Sequence, residues 1–129
     1  MTGQRPVRNS ELVGTLTRAV AIGCFGAGAI AAAITQQLVL AGAAFLAGHT
    51  ILATVAMIAD RRRRGVGLSL AGVGWLSLSI GLAAQRGADV AIPETPALLV
   101  GGVLVALGTM LVVGESGGGT ERDVDERVE

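Results

Sequence analysis

Three features of the sequence predict an all-α fold, an integral membrane four-helix bundle. Four apolar runs each approach the ~20 residues a helix needs to cross ~30 Å of hydrocarbon. Charged residues make up 16% of the chain against 51% hydrophobic, with a mean hydropathy of +0.64, whereas a soluble domain carries about a quarter charged residues. No stretch alternates polar and apolar residues as a barrel strand would. Helices remain, because their backbone satisfies its own hydrogen bonds in lipid.

The elements follow in order. Residues 1–11 form a basic tail with Arg5 and Arg8. The first span is read over residues 12–34, with its apolar core "AVAIGCFGAGAIAAAI" from Ala19 to Ile34. This places Arg18 inside the helix, near enough to its end for the guanidinium to reach the headgroups. An arginine-bearing start, an apolar core and the small residues Ala31–Ala33 imitate a signal peptide. However, only Thr35–Gln37 separate this run from the next, which reads as a tight helical hairpin. The second span covers residues 38–59 and the third 66–84. After an outer loop, the fourth covers 96–114, with Thr95 as cap and Pro96 at the first helical position. These four spans make a transmembrane domain over residues 12–114. Residues 115–129 form an acidic tail with six acids against two arginines, four net negative charges. Such composition predicts a disordered, solvating segment, with docking to a cytoplasmic partner as the functional alternative.

The charges then orient the chain. All ten basic residues are arginine, and the total is balanced by ten acids, so net charge gives no basis for a nucleic-acid partner. With four spans, Arg5, Arg8, Arg18, Arg61–Arg64, Arg122 and Arg127 share one side, and Arg86 stands alone on the other. Basic residues in short loops stay cytoplasmic. Both termini are therefore expected in the cytoplasm, with Arg61, Arg62, Arg63 and Arg64 as a topological anchor. A patch for anionic headgroups, worth ~1 kcal/mol per arginine near the surface, is a compatible second role. Asp60 is placed to neutralise one of the four.

Helices in lipid associate through close packing of small residues and a few polar contacts. Gly67, Gly74 and Gly81 recur every seven residues in the third span, and Ala44 with Gly48 forms a small-xxx-small pair, as does Ser77 with Gly81. These predict faces where a neighbouring backbone approaches, from this chain or from another copy. A faint echo at a spacing of sixty, Val13–Leu16 "VGTL" against Val73–Leu76 "VGWL", raises the question of two repeated hairpins.

Two polar residues fall at mid-membrane, His49 and Trp75. An ionisable group at that depth is a functional candidate, able to relay protons, contribute to a metal shared between copies, or titrate as a switch. The structural alternative is a neutral imidazole bonded to a serine or threonine of another helix. Trp75, at a similar depth on the next helix, is expected to pack with His49, and Cys24 and Phe25 read as filler. One cysteine excludes an internal disulfide. No catalytic constellation is present: spans carry no carboxylate pair, and Ser77 or Ser79 with His49 lacks an orienting group. No enzyme activity and no cofactor are expected.

In size the chain resembles the small multidrug-resistance exporters, which are built around a glutamate in the middle of span one. Here Glu11 precedes the apolar core, which argues against proton-coupled export. In layout, lysine absence and acidic tail it resembles small four-span membrane proteins of haloarchaea, including the internal membrane proteins of their pleomorphic enveloped viruses. That resemblance implies a multi-pass location in the cell membrane, or in the envelope of a membrane-containing virus. The function expected is structural or accessory, packing into homo-oligomers or against a larger membrane partner. The alternatives are a small oligomeric transporter or channel with His49 in its pathway, and a holin-like or envelope protein.

Overall fold

The computed structural model describes residues 7–34 and 36–114, with side chains from Glu11 onward. Among these residues there are four helices and no strand: α1 (Val7–Ala33), α2 (Leu38–Ile58), α3 (Arg62–Gln85) and α4 (Glu94–Val113). All four are long and apolar enough to cross a membrane. The fold is that of a four-span membrane protein. The acidic tail, 115–129, lies outside the described residues.

Two boundaries differ from the sequence reading. Residues 7–11, assigned to the tail, belong to α1; no proline interrupts the run, so the helix continues through Arg8, Asn9 and Ser10. Helix α4 begins at Glu94 with Pro93 as its cap, two residues before the expected start. Pro96 still falls among the first positions, whose N–H groups have no intrahelical acceptor. Glu94 adds a negative charge at the positive end of the helix dipole.

The three connections share one backbone feature. After each helix a residue turns into the left-handed region: Gln36 (φ 54°), Asp60 (φ 57°) and Gly87 (φ 81°). The next N–H then reaches back to a carbonyl near the helix end. Arg61 bonds Ala56 at 2.9 Å and Ala88 bonds Ala83 at 3.0 Å, the Schellman arrangement, which caps carbonyls left over at a helix end. At the first connection the bond is one residue wider, from Gln37 to Ala31 at 3.2 Å.

The interior is made of small residues. Ala21, Ala41, Ala53, Ala56, Ala71, Ala83, Ala97 and Ser79 are buried, and no large side chain is fully buried among the described residues. Large apolar groups face outward, Ile22 at 70% and Met110 at 69% exposure. In water such a surface would associate indiscriminately. Against lipid tails, burying leucine gains nothing, and contact between backbones decides the packing.

Seven-residue spacing sets the register. On the α3–α4 face Gly67 meets Gly108, Gly74 meets Gly101, and Gly81 meets Leu98 and the Glu94 carbonyl. Partners rise by seven on one helix and fall by seven on the other, so the helices are antiparallel. On the α2–α3 face Gly42 meets Ser79, His49 lies over Gly72, and Ala53 and Met57 meet Gly65. On the α1–α2 face Gly28 meets Ala41 and Ala44, and the Phe25 ring sits on Gly48. The neighbour of the Gly67/Gly74/Gly81 stripe is thus α4 of the same chain.

The bundle is open. Helix α1 packs on α2, α2 on α3 and α3 on α4, with no Cα approach within 8 Å between other pairs of helices among the described residues. The spacing explains it. The two α3 stripes, 65/72/79 and 67/74/81, are offset by two residues, which turns about 200° around a helix. Neighbours α2 and α4 therefore take nearly opposite sides of α3. On α2 the contact positions 41/48 and 42/49 are offset by one residue, about 100°, so the row bends there. Of the glycine pairs sixty residues apart, Gly48 and Gly108 are both in tight contact, with the Phe25 ring and the Gly67 carbonyl, whereas Gly42 is tight against Ser79 and Gly102 has nothing within 4 Å among the described residues.

Candidate functional site

The bend at α2 leaves a crook between α1 and α3, and ring side chains fill it. Phe45 projects into that angle, with its ring 5.9 Å from Phe25 of α1 and 5.5 Å from Trp75 of α3. His49, one turn further along α2, meets Phe25 edge-on at 5.0 Å with an interplanar angle of 86°. The sequence holds two phenylalanines, one tryptophan, one histidine and no tyrosine. The whole ring complement of the chain is therefore in one cluster. Edge-on and tilted pairs at these separations are favoured by the ring quadrupoles, about 0.5–1.5 kcal/mol each.

Glycines make the cluster possible. A Cβ at position 48 would lie 3.0 Å from the Phe25 ring, and one at position 72 would lie 2.8 Å from the His49 Cβ. The rings occupy space that any side chain at 48 or 72 would take. Ala44 and Gly48, read from sequence as a packing pair, both face α1.

The polar ends of the cluster are only half used. His49 Nδ1 donates to the Phe45 carbonyl of its own helix at 2.8 Å. A carbonyl only accepts, so this bond places a proton on Nδ1 and leaves Nε2 with a lone pair in the neutral ring. No further hydrogen bond of the imidazole, and none of the Trp75 indole, is formed among the described residues. The site thus presents an acceptor on α2 and a donor on α3, both at mid-helix. Trp75 is 41% exposed.

Two expectations are corrected here. The partner of His49 is a carbonyl of its own helix and not a hydroxyl of another, because residue 45 stands one turn below it with the acceptor already aligned. Trp75 stacks on Phe45 and reaches His49 only through that ring. The serines near this depth are engaged elsewhere: Ser77 Oγ donates to the Ala97 carbonyl on α4 at 3.0 Å, and Ser79 Oγ to the Trp75 carbonyl at 2.9 Å. Among the described residues no three His, Cys, Asp or Glu side chains are grouped to hold a metal.

Phe25 and Phe45 are the site residues that sequence reasoning missed. Their signal was the shared mid-span position of every ring in the chain.

A second locus lies at one end of the fold. Arg61–Arg64 are all exposed, with Arg61 in the turn and Arg62–Arg64 opening α3. Arg62 pairs with Asp60 at 3.4 Å, both side chains 88% exposed, so water screens this pair strongly. The Arg63 guanidinium reaches the last residue of the described chain: its Nη2 is 3.5 Å from where a Gly114 Cβ would be. Three arginines at a helix start oppose the α3 dipole, since cations are disfavoured at an N-terminus. Their placement is unfavourable within α3, so its reason is to be sought outside that helix.

A shallow, open apolar recess lies at the opposite end, between the α1–α2 turn and the end of α3, lined by residues including Gln37, Leu40, Ala83 and Ala88. It does not reach the ring cluster.

No family model, curated protein or solved structure matches the chain.

Proposed function

We propose that the chain is a non-enzymatic structural or accessory membrane protein that assembles laterally, with copies of itself or with a larger membrane partner, and is held by Arg61–Arg64 at the cytoplasmic face. The carrying observation is the open row. Among the described residues its edge helices keep glycines without a neighbour: Gly23 and Gly26 on α1 and Gly102 on α4 have nothing within 4 Å. Each such position is a place where another backbone could approach as α4 approaches α3. Cysteine cross-linking in native membranes tests this, with Gly102→Cys and Gly26→Cys in a Cys24→Ala background. Covalent dimers or adducts with one partner support lateral assembly; monomers at both positions refute it. Reporter fusions at the α2–α3 turn test the orientation, and external exposure there refutes a cytoplasmic anchor.

A second reading is favoured by one observation, the Nε2 of His49, which has no hydrogen-bond partner among the described residues and belongs to the same ring cluster as Trp75. In an oligomer that enclosed the crook, these groups would face a shared path, and the chain would conduct a small polar solute or ion. Flux into liposomes that disappears with His49→Ala supports transport; equal leakage with and without the substitution removes it.

A further inference from the structure

The arginine cluster has a candidate occupant within the same chain. Three observations converge on it, and none depends on the functional reading above. First, the cluster is exposed, and only Arg62 has a carboxylate partner among the described residues. Second, the start of α3 and the end of α4 are adjacent, with Arg63 lying against Gly114. Third, Glu115 follows Gly114 directly, and residues 115–129 carry Glu115, Glu121, Asp123, Asp125, Glu126 and Glu129 against Arg122 and Arg127. Four net negative charges therefore leave the fold beside four positive ones.

We propose that segment 115–129 docks on Arg61–Arg64 of its own chain, as an electrostatic clasp across the ends of α3 and α4. Arginine suits the role, because its planar guanidinium takes a carboxylate in a two-pronged grip. The connection is short enough to be decisive. Asp123 lies nine residues beyond Gly114, a reach of at most ~30 Å, which holds the acids at an effective concentration on the order of millimolar. The clasp also answers the dipole problem at α3, since carboxylates over a helix N-terminus are stabilising. When docked, the tail competes with anionic lipid headgroups for the same guanidinium groups. The arginines then face lipid phosphate only when the tail is released.

The test measures the distance between spin labels at Ala59→Cys and Val128→Cys in the full chain with Cys24→Ala. It is run first in nanodiscs of zwitterionic phosphatidylcholine. Docking predicts a short-distance population at low salt that falls at least about threefold in 1 M salt, where the Debye length is ~3 Å. It predicts the same fall when Glu121→Gln, Asp123→Asn, Asp125→Asn and Glu126→Gln are combined, a change that leaves the described helices untouched. A distribution indifferent to both salt and these substitutions overturns the clasp. Nanodiscs with anionic phosphatidylglycerol separate the competitor. If that lipid is enriched around the protein to the same degree with native and neutralised tails, the arginines belong to lipid phosphate and the proposal fails. If neutralising the tail increases the enrichment, the two compete as argued.

Discussion

Replacing Gly108 by alanine tests the packing argument most directly, because the same helix supplies its control. A Cβ at position 108 would lie 2.5 Å from the Gly67 carbonyl oxygen and 2.7 Å from the Ala71 nitrogen, where ordinary contact begins at 3.4 Å. Both obstacles are backbone, so no rotamer change relieves them. Helices α3 and α4 must part by about 0.9 Å, the difference between 3.4 and 2.5 Å. Overpacking of this kind costs about 1–3 kcal/mol. Alanine also favours a helix over glycine by about 0.8–1 kcal/mol, which partly masks the cost. Gly102→Ala receives the same propensity gain and meets nothing within 4 Å. The difference between the two variants cancels propensity and isolates the contact. Gly108→Ala is therefore expected to be less stable than Gly102→Ala by about 1–3 kcal/mol. Reversible unfolding in mixed micelles, followed by the fluorescence of Trp75, measures both. Equal stabilities would mean that α3 and α4 do not approach as described.

Three further outcomes follow from individual contacts. Ser77→Ala removes the bond to the Ala97 carbonyl and should cost about 0.6 kcal/mol in the same assay, the average for such bonds in membranes; no change would place that hydroxyl elsewhere. Gln36→Gly relieves a left-handed conformation at φ 54° and should stabilise by up to about 1 kcal/mol; destabilisation would show that the Gln36 side chain matters more than its backbone. Phe25→Ala empties the contact with Gly48 and His49. It should cost about 1 kcal/mol and raise amide exchange in α1 above that of α3 and α4. Unchanged protection of α1 would contradict its attachment through that ring.

The span count and approximate span limits were legible because lipid allows so few backbone solutions. The stripe at Gly67, Gly74 and Gly81 was legible as a packing face from its period alone. Its counterpart at Gly65, Gly72 and Ser79 was equally periodic, yet a serine in one position and an arginine run beside another concealed it. The partners were not legible: period gives a face, and only the register of the facing helix shows that Gly108 and Gly101 complete it. The ring cluster was hidden for a related reason. Phe25 and Phe45 are ordinary apolar residues in an apolar run, and what singles them out is the bend at α2, which arises from contacts between helices. His49 was visible as a polar group at mid-membrane, but a bond to its own i−4 carbonyl leaves no trace in sequence.

The open row also follows from that hidden stripe. For α4 to turn back toward α1, its seam on α3 would have to stand about a quarter turn from the α2 seam, an offset near one residue. The chain offsets the two seams by two residues, and both carry glycine against backbone or Cβ, as at Gly72 and Gly74. Neither seam can rotate without placing a side chain where a backbone now lies. The α2–α3 connection, Ala59–Arg61, is too short to let α2 migrate around α3. Closure within one chain is thus blocked by local geometry at α3 alone. The glycines of α1 and α4 that have no partner among the described residues are a direct result, and none of the four helices can cover them.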